Sequence, residues 1–270
     1  MMHPTLRGTF GGPGSQESFL GEAEDVVAAL DYLKTVPYVD PARIYLGGHS
    51  TGGTLALLVS ELADGFRAVF AFGPVSSPAY YGADALTYNP NTKAENTLRS
   101  PIDWLDGIKS PTFALEGTES GNHESLLEMR ATTRNQRVKF FPVKGAGHFD
   151  ILAPVNALLA KKIAALKGSE PFTLASWEPQ KAYENQVRAS QEGGDLQTLA
   201  DLRRGGLELN GPQTVRHWLL TRKRADLVAA GAEAKKVGFD LAPIENKTSE
   251  DGQPYFVRFV SERITLTDLT

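Results

Sequence analysis

The chain has 270 residues, a net charge of −4, and 41% hydrophobic against 22% charged residues, enough apolar mass for one large or two ordinary folded domains. Up to Gly168 there are 15 basic and 17 acidic residues, and 13 and 15 after it, so neither part has the basic surface that nucleic acid requires. No apolar run reaches the length of a membrane span, and zero cysteines exclude disulfides and thiolate metal sites. The segment Met1-Met2-His3-Pro4-Thr5-Leu6-Arg7 lacks the apolar stretch of a signal peptide, so a cytoplasmic location is expected.

Pro4 to Gly14 is a Gly/Pro-rich loop. A helix follows from Gly21 to Val36, with Val26, Val27, Leu30 and Leu33 on one face and acidic residues in its first turn; Pro37 stops it. Arg43 to Gly47 is a short strand and Thr54 to Leu62 an apolar helix. Phe66 to Phe72 is a buried strand, and residues 77–105 form an insertion near the site, with Tyr80, Tyr81 and Trp104 as possible pocket walls. A strand over Ser110 to Gly117, a helix over Glu124 to Thr133, a strand over Val138 to Val143 and a helix over Ala153 to Leu166 complete the first pattern. Strands alternating with helices at this spacing predict an α/β fold with a mostly parallel sheet over residues 1–168.

Gly168-Ser169-Glu170-Pro171 marks a boundary, and residues 169–189 are expected to hold a linking helix. From residue 190 the period changes. A helix carrying Leu196, Leu199 and Leu202 precedes a strand Val215 to Leu220, a helix Arg224 to Val237, and strands Phe239 to Ile244 and Tyr255 to Val260. That order, α-β-α-β-β, predicts a second α+β domain over 190–270, with Trp218 and Phe239 in its core.

Between the first strand and its helix stands Gly48-His49-Ser50-Thr51-Gly52. Strand, G-x-S-x-G, helix is the context of a nucleophile elbow, a tight turn that pushes one serine hydroxyl out of the backbone. Gly48 and Gly52 remove Cβ atoms that would collide there. Ser50 then sits at a helix N-terminus, where free N–H groups favour developing negative charge, and the Thr51 N–H is one oxyanion donor. The second donor is expected from a loop upstream of the residues present.

An activated serine needs a base, and the base an orienting acid; on such turns the chain order is Ser, acid, His. His148 follows the last strand of the first domain in Gly145-Ala146-Gly147-His148, and is the expected base. His49 is expected to shape the pocket, and His123 to be a solvated helix-start residue. The acid should follow the strand that ends at Gly117. Glu119 is the expected acid, with Glu116, Glu124 and Asp150 as alternatives. Activity is expected to fall below about pH 6.5, because a base must be neutral to accept a proton. No cofactor or metal is implied.

Arg7-Gly8-Thr9, Gly21-Glu22-Ala23-Glu24-Asp25, Val39-Asp40-Pro41-Ala42-Arg43-Ile44 and Gly48-His49-Ser50-Thr51-Gly52-Gly53 resemble the catalytic domain of prolyl-oligopeptidase-type serine peptidases. That group includes dipeptidyl and acylaminoacyl peptidases. The resemblance runs over about residues 4–167. It implies the α/β-hydrolase fold, with Ser50 as nucleophile, His148 as base, and a peptide or ester substrate. Two departures stand out. Ser120 occupies the position where the family carries its aspartate, and the strands that precede Leu6 in the family are missing, one of which would lie beside the elbow strand. The sheet is therefore expected to be incomplete at its N-terminal side, and residues 1–168 less stable and less active than a full domain.

The second domain resembles the RraB family of ribonuclease E inhibitors at Gly194-Asp195, Leu202-Arg203-Arg204-Gly205-Gly206, Gln213 to Leu219 and Ala225 to Phe239. The resemblance implies a ferredoxin-like α+β fold that binds a protein partner without catalysis; the chain stops at Thr270 without the family's acidic tail. Together these residues predict a serine hydrolase joined to a regulatory or interaction domain. The alternative is a catalytically weakened hydrolase scaffold that acts as a regulator.

Overall fold

The computed structural model describes residues 1–190, 213–221, 224–236, 240–248 and 254–264. The chain divides into two units, Met1–Ser190 and Gln191–Thr270.

In the first unit four parallel strands lie in the order β1 (Tyr45–His49), β2 (Ala68–Phe72), β3 (Thr112–Gly117), β4 (Val138–Val143). Sequence order equals spatial order, as in parallel sheets whose crossovers are helices or long loops. Helices α1 (Leu20–Thr35) and α2 (Thr51–Leu62) flank β1, the seven-residue α3 (Lys93–Arg99) lies between β2 and β3, α4 (His123–Thr132) joins β3 to β4, and α5 (Leu152–Ala165) follows β4. Every residue of β2 and β3 is buried, which explains their near-continuous apolar sequence. Period-two alternation divides the core. Phe70, Phe72, Phe113, Leu115 and Phe141 pack on Val155 and Leu159 of α5. Ala71, Ala114 and Val138 face Leu57 of α2 and Leu126 and Met129 of α4. Val69 joins α1 and α2 through Val26, Leu30, Ala56 and Val59. Each fully buried side chain of this size contributes about 1.5–3 kcal/mol, so the sheet's end is a stiff platform.

The segments that resemble the peptidase family have a structural use. Arg7 donates through Nε and Nη2 to Asp25, at 3.1 and 2.9 Å, and through Nη1 to Glu17 at 2.8 Å. The guanidinium holds the Asp25 carboxyl below the usual range. Glu22 accepts from the N–H groups of Glu17 and Phe19, both at 2.8 Å, closing the start of α1 where Phe19 has φ 86°.

β1 is one edge of this sheet among the described residues. Beside it runs an apolar groove of about 1070 Å³, walled by side chains such as Leu6, Leu33, Leu46, Leu55 and Ile163 and reaching Gly48, His49 and Gly52. The other edge, β4, carries Pro142, a residue that edge strands tolerate because it has no N–H to donate.

Residues 178–190 form a helix, α6, expected as part of a linker. It makes contacts with the first unit: Tyr183 Oη donates to the Gly145 carbonyl at 2.8 Å, and Gln180 Oε1 accepts from Lys144 N at 2.7 Å. Among the described residues no helix is long and apolar enough to cross a membrane.

The second unit holds an antiparallel sheet in the order β5 (Gln213–Thr221), β8 (Pro254–Ile264), β6 (Asp240–Leu241), with β7 (Glu245–Thr248) also on β8 and α7 (Arg224–Lys236) between β5 and β6. A single strand was expected over Phe239 to Ile244. Only Asp240–Leu241 pair there: Pro243, with no N–H, interrupts the strand, and β7 takes up pairing with β8 beyond it from Glu245. The expected helix through Leu196 to Leu202, the segment through Gly206, and the side chains of Trp218 and Phe239 lie outside the described residues.

Candidate active site

Ser50 stands between β1 and α2 with no intervening residue. Its φ of 57° and ψ of −115° are rare for a residue with a Cβ, and its N–H donates to the Phe72 carbonyl at 2.8 Å. The strain is held by close backbone packing. A Cβ on Gly48 would strike the backbone of Gly52, and a Cβ on Gly53 would strike the Phe72 carbonyl. Gly52 differs from expectation, since a Cβ there meets nothing within 4 Å. The glycines that the turn requires for space are Gly48 and Gly53. Thr51 is the first residue of α2 and is exposed, so its N–H lies at the open helix N-terminus. From below, Thr54 Oγ1 accepts from Val75 N at 3.0 Å and bonds Tyr81 Oη at 2.8 Å. Burial pushes the Tyr81 phenol up to about 12. Tyr81 thus braces the elbow, whereas Tyr80 and Trp104 are largely exposed and bond Glu128 and the Thr97 carbonyl.

His148 lies in the loop after β4, and its Nδ1 is 2.7 Å from Glu116 Oε2. The carboxylate that meets the imidazole is thus Glu116, not Glu119, where the acid was expected. Glu119 is exposed and accepts from Thr118 Oγ1 at 3.1 Å, while Glu116 is fully buried at 0% exposure. The reason is strand geometry. Glu116 follows Ala114 on the face of β3 that looks toward α2 and α4, at the strand's C-terminal end. There Gly117 N donates to Oε1 at 2.7 Å and Asn122 N donates to Oε2 at 2.9 Å. A buried carboxylate needs such donors, and the imidazole completes the set. The one charged residue in an otherwise uncharged buried strand was the sequence signal that pointed here. Asp150 accepts from Gly147 N at 2.8 Å and shapes the loop. Ser120, at the family's aspartate position, accepts from His148 N at 3.2 Å.

Gly73 and Gly121 enclose the pair. A Cβ on either would lie within 3 Å of both His148 Nδ1 and Glu116 Oε2. Asn122 Nδ2 donates to the Gly73 carbonyl at 2.7 Å. Since Gly73 follows Phe72, whose carbonyl holds Ser50 N, imidazole and serine flank the same end of β2. No hydrogen bond joins Ser50 Oγ to His148 among the described residues; such bonds commonly tighten only with substrate bound. His49 packs on His148 at 4.4 Å between ring centroids, and Phe149, 69% exposed, covers both rings at 4.9 and 5.0 Å. His123 opens α4 with its Nδ1 buried and unbonded, not solvated as expected. Among the described residues no cluster of His, Cys, Asp or Glu could hold a metal ion.

Residues 14–122 match the model of the prolyl oligopeptidase family. The chain is 29% identical over 148 residues to the uncharacterized peptidase YtmA of Bacillus subtilis, covering 46% of this chain and 55% of that protein. It is 39% identical over 62 residues to a probable dipeptidyl-aminopeptidase B of Metarhizium robertsii, covering 22% of this chain and 7% of that one. Dipeptidyl peptidase 4 of Porphyromonas gingivalis superposes with a TM-score of 0.47 at 20% identity, over 54% of this chain and 22% of that one. The chain therefore spans about half the length, or much less, of the curated relatives it matches.

Proposed function

We propose that the chain is a serine hydrolase, a peptidase or esterase that works through an acyl-enzyme on Ser50. The observation that carries this is the 2.7 Å Glu116–His148 pair at the same sheet end as the strained Ser50. Ser50 Oγ attacks the substrate carbonyl and passes its proton to His148 Nε2. Glu116 stabilises the imidazolium through Nδ1–H. The oxygen that gains negative charge is met by the Thr51 N–H. His148 then protonates the leaving amine or alcohol, and water, deprotonated by the same imidazole, releases the acid and restores Ser50. The match to a peptidase family over residues 14–122 supports a peptide substrate. The weakened-scaffold alternative rested partly on an absent acid, and Glu116 supplies a carboxylate in that place. A fluorophosphonate probe tests the reading. Wild type should be labelled and Ser50→Ala should not; equal labelling of both removes Ser50 from the mechanism.

For the second unit we propose a protein-interaction role of the RraB type, which rests on its residue pattern. Capture of an endoribonuclease by the full chain would support it. Capture that persists in a chain ending at residue 190 would place the binding elsewhere.

A further inference from the structure

We infer that His49, the residue before the nucleophile, is a positioning residue that holds the base over Ser50 through a hydrogen bond from its Nε2–H to the backbone carbonyl of His148. The inference rests on the proposed serine-hydrolase mechanism and adds a residue to it. The contact is 3.2 Å long. A carbonyl only accepts, so Nε2 carries a proton. Burial, with the neighbouring His148 adding to it, lowers the affinity of His49 for a second proton, although Glu116 and the carbonyl act the other way. The ring is thus neutral, with its proton on Nε2 and a bare Nδ1.

The way the base's loop is anchored gives this bond its weight. Toward the acid the loop is tied several times: His148 N donates to Ser120 Oγ at 3.2 Å, Gly145 N to Thr118 Oγ1 at 3.0 Å, and Glu119 N to the Ala146 carbonyl at 3.0 Å, beside the Glu116–His148 pair itself. On its outer side Tyr183 holds the Gly145 carbonyl. Toward the strand and helix that carry the nucleophile, one hydrogen bond is present among the described residues, the one from His49. His49 can bear that load because its backbone is fixed. It pairs with Phe72 in the sheet, and the next N–H, that of Ser50, is bonded to the same Phe72. The acid–base loop is thus anchored to β3 and the nucleophile with its helix to β1, two strands of one sheet joined through β2, and His49 ties the base's loop directly to the nucleophile's strand. Ring packing of His49, His148 and Phe149 adds contact but no direction.

The test compares His49→Phe, which keeps a ring and loses the donor, with His49→Gln, which keeps a donor of similar reach. Two readouts are taken on the full chain: the rate of fluorophosphonate labelling and hydrogen–deuterium exchange across residues 145–150. The Phe variant should label about tenfold more slowly, the rate equivalent of one neutral hydrogen bond, and exchange faster over that loop. The Gln variant should restore both. If the Phe variant does not fold, His49→Asn, polar but too short to reach, takes its place. A variant that lacks the bond, Phe or Asn, yet labels and exchanges like wild type overturns the inference, as does a Gln variant as slow as the Phe variant. A wild-type chain that is never labelled at Ser50 refutes the hydrolase mechanism instead, and loop exchange alone then decides whether His49 holds the loop.

Discussion

Replacing Glu116 by Gln separates its charge from its shape. Its two oxygens accept three N–H groups: Gly117 at Oε1, and Asn122 and His148 at Oε2. A glutamine amide has two orientations. With its NH₂ at the Oε2 position it faces two donors, and His148 can relieve one clash only by moving its proton to Nε2, the atom that must receive the serine proton. With its oxygen there, only the Gly117 N–H is left unmet, and the imidazole keeps its tautomer. The second orientation has one clash against two, so it is preferred. What is lost is then the charge that steadies the imidazolium, roughly 1.5–3 kcal/mol for a hydrogen bond to a charged group, or about 10- to 100-fold in rate. Glu116→Ala removes orientation as well and should fall by about 10⁴-fold, the scale of losing a triad acid's tautomer control. Glu119→Gln should react as wild type does. The assay is the second-order rate of fluorophosphonate labelling, with hydrolysis of an activated ester alongside. A thermal melt should show Glu116→Gln destabilised by roughly 1–3 kcal/mol from the unmet buried donor. A slow Glu119→Gln beside a fast Glu116→Gln would refute the assignment of the acid.

The elbow glycines should part company. Gly53→Ala drives a methyl into the Phe72 carbonyl, costing about 1–3 kcal/mol and slowing labelling, because that oxygen also holds Ser50 N. Gly52→Ala meets open space within α2 and should raise the melting temperature by an amount equivalent to about 0.5–1 kcal/mol. Equal behaviour of the two would contradict the packing described. At the far end of α2, Glu61 has a buried, unbonded Oε1, and burial, with Asp103 adding to it, raises the carboxyl to about 9. Its folded value exceeds the unfolded one, so its contribution is complete below about pH 4.5 and is lost as pH rises toward 9. Glu61→Gln should therefore lie close to wild type at pH 5 and exceed it by several kcal/mol, roughly 1.4 kcal/mol for each pH unit above 4.5, at pH 8–9 in denaturant melts. A gap that does not widen with pH would count against it.

Much of the first unit was legible because its signals are local. Alternating apolar strands and helices, bounded by Pro37 and by the glycines at 73 and 117, placed the four strands and four of the helices within a few residues. The start of α2 was placed at Thr54 and is Thr51, because Gly52 and Gly53 hide a helix that tertiary packing imposes. The carboxylate that pairs with His148 was expected at Glu119 rather than Glu116 for a different reason. Position after a strand is a family habit, whereas a carboxylate's partner depends on which sheet face it occupies, and that is set by the pairing of β3. The polarity of Glu116 inside T-F-A-L-E-G carried the clue. His49 left no trace in sequence, since its bond reaches a backbone carbonyl 99 positions away. In the second unit, Pro243 could have shown that the strand expected over Phe239 to Ile244 would be cut short.

The carboxylate that meets His148 lies inside β3, and its position is fixed by strand pairing. Glu116 lies in register with Pro142, so a slip of one residue would turn the carboxylate toward the phenylalanines of the opposite layer. A loop-borne acid can drift and be recovered. This one cannot shift unless the strand moves with it, so displacement of the Glu116 carboxylate should coincide with opening of the sheet rather than precede it.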